Sequence, residues 1–149
     1  MAFLDKCRKL TETVDFFHGI DPMDIGKLMS FGVTKTLREE VAIFGKGDAG
    51  TEMYIILEGG VRIVDGDTTI ATLGPGDTFG EMAVLAGAQR SADAVTTEIT
   101  NLFILSEDQV QRLMGKRVAI RILLNIVATL SKRLREMDEK LSALEKSDG

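Results

Sequence analysis

The residue types best suited to chemistry fall in one stretch, Phe79-Gly80-Glu81-Met82-Ala83-Val84-Leu85-Ala86-Gly87-Ala88-Gln89-Arg90-Ser91-Ala92. A tight glycine turn there leaves a strand and enters a short helical turn that Gly87 ends. The chain then returns with an arginine at the start of the next strand. The first turn of a helix offers unpaired N–H groups and a positive dipole end, which suits an anion. Gly80 allows close approach to the backbone, because no Cβ stands in the way. Arg90 can close such a site with a bidentate, charge-assisted contact to phosphate. A carboxylate beside a phosphate is anomalous unless it serves a neighbouring hydroxyl. Glu81 therefore fits an acceptor for a group such as a ribose 2′-OH.

Composition removes most alternatives. The chain has 149 residues, one cysteine (Cys7) and one histidine (His18). That excludes an intrachain disulfide framework and a Cys-rich zinc or iron–sulfur site, and it argues against a multi-His metal enzyme. No nucleophile–base constellation appears, so neither a catalytic residue nor a metal ligand is assigned and no enzyme activity is expected. Cys7 reads as a packing or spectator residue, and His18 as a loop residue after Phe16-Phe17. Asp and Glu total 23 against 18 Lys and Arg, a formal charge of −5, so no net field attracts nucleic acid or anionic lipid. The apolar stretch Val118–Leu130 is interrupted by Arg121 and Asn125 and is too short to span a bilayer. The N-terminus is charged too early for a secretory signal. A soluble, cytoplasmic protein of one domain, residues 1–149, is expected.

The elements that must position the site follow from turn chemistry. Ten glycines fall between residues 45 and 87, separating short β-prone runs. Met53–Leu57 is apolar throughout, as a strand buried on both faces would be. Gly60–Val64 and Thr69–Leu73 are joined through Asp65-Gly66-Asp67, a hairpin signal. Gly74-Pro75-Gly76-Asp77 forces another turn, and Ala94–Thr96 and Ile99–Leu105 add strands. This spacing implies an antiparallel sandwich, jelly roll or barrel. Asp21 as N-cap, Pro22 at the first helical position and Gly32 past the end bracket a helix around Met23–Phe31. Ser106-Glu107-Asp108-Gln109 is a capping box opening another helix, which Gly115 can close. Phe16, Phe17, Ile20, Leu28 and Met29 read as core.

From Arg117 to about Glu145 neither Gly nor Pro occurs, so one long helix is expected. Ile120, Leu123, Val127, Leu130, Leu134, Met137, Leu141 and Leu144 recur at alternating spacings of 3 and 4, an unbroken a/d seam over four heptads. With Ile120 at a, Arg133 and Lys140 fall at g, and Asp138 and Glu145 at e. In a parallel pair each g residue meets the e residue five positions on, so both pairs are opposite in sign. A parallel homodimer through the seam is expected. The competing possibility is that the stripe packs on the chain's own β domain, which Ile122 and Ile126 could do as a second apolar edge.

Residues 79–92 closely resemble the phosphate-binding cassette of cyclic nucleotide-binding domains, as found in catabolite activators, cyclic-nucleotide-dependent kinases and gated channels. The stretches Ile43–Val61 and Leu73–Glu81 resemble the same family, and the likeness covers about residues 14–140. The resemblance implies an eight-stranded antiparallel jelly roll (double-stranded β-helix) over residues 33–105, with N-terminal helices over about 1–32. Helices over 106–145 follow, of which 117–145 would be the ligand lid or dimerisation helix. It implies that Glu81 binds the ribose 2′-OH, that Gly80, Met82 and Ala83 give backbone contacts, that Arg90 neutralises the cyclic phosphate, and that Ser91 bonds the phosphate or reaches the base. The function implied is a regulatory module that binds cAMP or cGMP and signals through its C-terminal helix to an effector the sequence does not name.

Two departures from the family pattern matter. Gln89 replaces a common Pro, and Asp93 a small hydroxyl residue; on a strand Asp93 points away from Arg90. Aligned on Lys132-Arg133-Leu134, the activators' adenine-touching hydroxyl pair is replaced by Met137-Asp138. Asp accepts but does not donate when ionised, which suits the guanine N1–H and N2–H₂ edge. Arg90-Ser91-Ala92 looks instead like the cAMP-type activators, and cAMP is placed slightly ahead. The alternative is a ligand-independent dimeric interaction domain with a degenerate pocket. The activators' helix-turn-helix would follow the long helix, but this sequence stops at Gly149, so DNA binding is not expected; whether the chain is part of a larger protein stays open.

Overall fold

The computed structural model describes residues 2–14, 17–109 and 116–148. Helices α1 (Ala2–Thr13) and α2 (Pro22–Phe31) precede eight strands. These are β1 (Val33–Leu37), β2 (Ala42–Phe44), β3 (Glu52–Glu58), β4 (Val61–Asp65), β5 (Thr68–Leu73), β6 (Thr78–Phe79), β7 (Asp93–Thr96) and β8 (Thr100–Ser106). The short helix α3 (Glu81–Ala86) lies between β6 and β7, and the long helix α4 (Lys116–Asp148) follows β8. The strands form two four-stranded sheets, ordered β1-β8-β3-β6 and β2-β7-β4-β5. All the pairings are antiparallel. This is the expected eight-stranded jelly-roll architecture with flanking helices.

β3 shows why the run Met53–Leu57 is apolar throughout. Alternate side chains of a strand face opposite ways, and here both directions are core. Met53 and Ile55 join Phe17, Ile25, Leu28, Phe103, Leu105 and Ile126 beneath the helices. Tyr54 and Ile56 join Val61, Phe79, Ala94 and Leu102 between the sheets. The β4–β5 hairpin closes through Gly66 at φ +62°, with Asp65 opposite Thr68. In the Gly74–Asp77 turn, the Asp77 carboxylate accepts from the Gly74 amide at 2.9 Å.

The helix boundaries follow the expected capping chemistry with one difference of cause. The Asp21 carboxylate accepts from the Met23 amide at 2.8 Å, and Pro22 opens α2. Gly32 ends it with φ −81° and ψ 172°, an extended conformation open to any residue. Glycine is needed there because a Cβ would collide with the Phe103 ring. Ser106 and Gln109 bond reciprocally, the Ser106 amide to Gln109 Oε1 at 2.9 Å and the Gln109 amide to Ser106 Oγ at 3.2 Å. The closure by Gly115 lies outside the described residues, as does Phe16.

α4 touches its own chain along a narrow line. Asn125 and Ile126 are buried, and Asn125 Nδ2 donates to the His18 carbonyl at 2.8 Å. Every residue of the heptad seam is exposed, from 37% at Leu130 to 62% at Leu134. The stripe is therefore not buried on the β domain, although Leu130 and Met137 face it, whereas the second edge is buried through Ile126. The side chain of Ile122 lies outside the described residues. No helix among the described residues is long and apolar enough to cross a membrane.

Candidate functional site

Arg90 is held from two sides before its side chain is considered. Its carbonyl accepts from the Gly47 amide at 2.7 Å and its amide donates to the Asp48 carbonyl at 2.9 Å. The 45–48 turn is itself braced by side chains. The Asp48 carboxylate accepts from the Gly45 amide at 2.9 Å, and that of Asp93 from the Lys46 amide at 2.6 Å. Asp93, the departure from a small hydroxyl residue, thus secures the turn whose backbone bonds that of Arg90. Lys46 Nζ also bonds the Asp65 carboxylate at 2.8 Å, and this bond raises the Lys46 ammonium above its ordinary value.

The Arg90 side chain is 7% exposed and points into the protein. Nη1 donates to the Gly80 carbonyl at 3.1 Å and Nη2 to the Glu52 carbonyl at 2.8 Å. The guanidinium carbon lies 4.2 Å from the Phe44 ring centroid and 5.7 Å from that of Tyr54. Phe44, Tyr54 and Phe79 form a cluster with centroids 5.0 to 6.0 Å apart. Burial raises the Tyr54 phenol above its ordinary value, Glu52 adds to the rise, and Arg90 opposes it. Among the described residues no carboxylate pairs with Arg90, and its Nε is buried without a hydrogen-bond partner. Buried charges are ordinarily paired. The Arg90 cation stands without an anionic partner among the described residues.

Two glycines make space for it. A Cβ at Gly50 would collide with Arg90 Nε, Cζ and Nη2. At Gly80, φ is +79° and an added Cβ would lie 2.8 Å from Arg90 Nη1. The open backbone at Gly80 thus admits the protein's own arginine, a reason the sequence does not display; Gly50 was not anticipated at all.

These groups open onto a cavity of about 250 Å³. Glu81, Gln89, Arg90 and Ser91 are among its polar lining residues, and Phe44, Ile63, Ile70, Leu73, Phe79 and Met82 among the apolar ones. Leu130 and Arg133 of α4 close the remaining side. Glu81 is 5% exposed. Arg133 Nη1 donates to Glu81 Oε1 at 3.1 Å, and Arg133 Nη2 to the Thr78 carbonyl at 2.7 Å. Sequence spacing placed Arg133 only at a heptad g position, so this contact was missed. Ala83 lies in α3 with its side chain outside the described residues. A second cavity of about 350 Å³ between β5 and α4 shares Ile70, Ala71, Leu73 and Arg133 with the first and is lined by Met137. Asp138 lines neither. Among the described residues no group of three His, Cys, Asp or Glu could hold a metal ion.

The arrangement sets a buried guanidinium and a buried carboxylate beside apolar side chains in one cavity. Residues 34–117 match the family model described as "Cyclic nucleotide-binding domain". The chain belongs to the cyclic nucleotide-binding domain family. It is 35% identical over 133 residues to a protein named "Cyclic AMP receptor protein" from Thermus thermophilus, an alignment covering 86% of this chain and 61% of the receptor. The crystal structure of the Thermus thermophilus catabolite activator protein superposes with a TM-score of 0.74 at 34% identity, covering 88% of this chain and 63% of that one. A cyclic nucleotide-binding domain from Methylobacillus flagellatus gives 0.80 at 23% identity, over 93% of this chain and 82% of that one, and so shows the fold. The chain spans less than two thirds of the Thermus receptor's length.

Proposed function

We propose that residues 1–149 act as one regulatory, non-enzymatic cytoplasmic module that binds a 3′,5′-cyclic nucleotide, cAMP ahead of cGMP, and reports it through α4. The N-terminal helices (1–32) and β-roll (33–105) form the receptor, and 106–145 the transmitter. The observation that carries this reading is the buried, carboxylate-free Arg90 beside the buried Glu81 at the mouth of a cavity closed by α4. The cyclic phosphate carries one negative charge, which the guanidinium neutralises. The ribose 2′-OH donates to Glu81, the amides of Gly80, Met82 and Ala83 contact ribose and phosphate, and Ser91 bonds the phosphate or the base. The apolar wall and Leu130 receive the base, with Met137 beyond it. The printed name of the Thermus relative supports cAMP.

The signal follows from the same geometry. A hydroxyl arriving at Glu81 shares the carboxylate with Arg133, so occupancy reaches α4 directly. Exposure of the whole seam favours the parallel homodimer through Ile120, Leu123, Val127, Leu130, Leu134, Met137, Leu141 and Leu144. Calorimetric titration with cAMP and cGMP tests the binding. Arg90→Ala is expected to cost about 3–5 kcal/mol, roughly two to three and a half powers of ten in affinity, because it removes one partner of a buried charge pair. Near-parental affinity of that variant would defeat the reading. A dimer that gives no binding heat with either nucleotide would favour a ligand-independent interaction domain.

A further inference from the structure

The backbone of Arg90 is placed by a turn, and that turn is held by a side chain outside the cavity. At one end of the contact, Phe44 of β2 pairs with Ala94 of β7. At the other, the Gly47 amide donates to the Arg90 carbonyl at 2.7 Å and the Arg90 amide to the Asp48 carbonyl at 2.9 Å. Between these two contacts Ser91 and Ala92 lie outside β7 and line the nucleotide cavity. The interval is bridged by the Asp93 carboxylate, which accepts from the Lys46 amide at 2.6 Å. Every amide of the turn then has an acceptor. That of Gly45 goes to the Asp48 carboxylate and that of Asp48 to the Gly45 carbonyl, both inside the turn. Those of Lys46 and Gly47 end on Asp93 and Arg90. Asp93 itself lines neither cavity. Placement of the backbone matters here because no carboxylate draws the Arg90 guanidinium into position. Its hydrogen bonds go to the carbonyls of Gly80 and Glu52, which reward one location only.

We propose that Asp93 is a positioning residue of the nucleotide site: through the Lys46 amide it fixes the turn that places Arg90, and so sets the affinity for the cyclic phosphate without touching the ligand. This rests on the nucleotide reading above. A site whose competent form is only partly populated binds more weakly by that fraction, so a loosened turn is felt as lost affinity. Asp93 has two effects of opposite sign, which separates them. As a negative charge it repels an anion, so removing the charge alone tightens binding. As an acceptor it holds the turn, so removing the acceptor weakens binding. Asparagine removes the charge and keeps an acceptor oxygen on a stem of the same length, whereas alanine removes both.

The test is calorimetric titration of cAMP and of cGMP into the parent, Asp93→Asn and Asp93→Ala, with amide hydrogen exchange of the nucleotide-free proteins. Asp93→Ala is expected to lose about three- to tenfold in affinity, less than a fully buried charge-assisted bond would give, because water reaches the exposed Lys46 amide. The loss should be equal for the two nucleotides, which carry the same cyclic phosphate. Asp93→Asn is expected to bind at least as tightly as the parent. In the parent the Lys46, Gly47 and Arg90 amides should exchange as one unit, and in Asp93→Ala all three should exchange faster. A folded Asp93→Ala with parental or higher affinity overturns the proposal, as does an equal loss in Asp93→Asn or a loss confined to one nucleotide. Should Asp93→Ala not fold, the other two proteins decide. Joint exchange in the parent with undiminished affinity in Asp93→Asn supports the proposal, and a protected Arg90 amide beside a freely exchanging Lys46 amide overturns it. A parent without binding heat for either nucleotide overturns it together with the nucleotide reading.

Discussion

Arg90 is a full positive charge held by two carbonyls and an aromatic face, with its Nε unsatisfied. Its position depends on the space that Gly50 leaves, so Gly50→Ala should displace the guanidinium. The loss of a hydrogen bond to a charged group is about 1.5–3 kcal/mol, and nucleotide affinity by calorimetry should fall by about 10–100-fold. Gly66→Ala is the contrasting case: its φ is +62° and nothing lies within 4 Å. It should lower stability by about 1 kcal/mol through backbone strain and leave affinity unchanged. Tyr54 supplies a pH test. Its raised phenol means that the folded state holds the proton more tightly than the unfolded state, whose value is near 10. Stability from this group is complete below about pH 10 and falls as pH rises through the folded value. Urea denaturation of Tyr54→Phe should therefore show a flatter alkaline limb than the parent. Gly80, Glu81 and Arg90 were legible in the sequence because they sit within one short segment whose chemistry is local. Arg133 and Gly50 were not, because each is defined by a contact with a residue about 40 or more positions away.

The start of α2 is fixed by one capping side chain, and α4 bonds the rest of the chain through Asn125 and Arg133. Asp21 caps α2, whose Ile25 and Leu28 belong to the core beneath the helices, apart from the nucleotide cavity. Asp21→Ala should lower the free energy of unfolding by about 1 kcal/mol, read from urea denaturation, with nucleotide affinity unchanged. A loss of affinity in that variant would mean that α2 and the cavity are coupled. The cap was readable because an N-cap works within three residues. The reason for Gly32 was not, since the Phe103 ring that excludes a Cβ comes from β8. Strand legibility divides in the same way. β3 is apolar because two cores claim alternate side chains, so its run stands out. β1 is largely exposed and polar, and β6 has two residues, so neither leaves a periodic signal. The glycine turn at Gly80 marks the end of β6, whereas β1 is implied only by the family resemblance.

At the scale of the whole molecule, the unusual feature is a 33-residue helix with a continuous apolar stripe left in solvent. Exposed apolar surface gathered into one stripe marks an interaction site, and the 3–4 spacing selects a helix as its counterpart. The far end of the stripe is the place to test it, because Leu141 and Leu144 line neither cavity. Burying one Leu contributes about 1.5–3 kcal/mol, and a symmetric pair of helices buries four side chains at these two positions. Leu141→Lys with Leu144→Lys should therefore weaken the dimer by several powers of ten and give a monomer by sedimentation. Two lysines facing two lysines add like-charge repulsion that is relieved at high salt, so partial recovery in about 1 M salt is expected. At concentrations where the parent is also monomeric, the variant should bind nucleotide equally well, since Glu81, Arg90 and Arg133 are untouched. A parental dimer in this variant would place the interface elsewhere, and would leave the seam for a helix of different sequence.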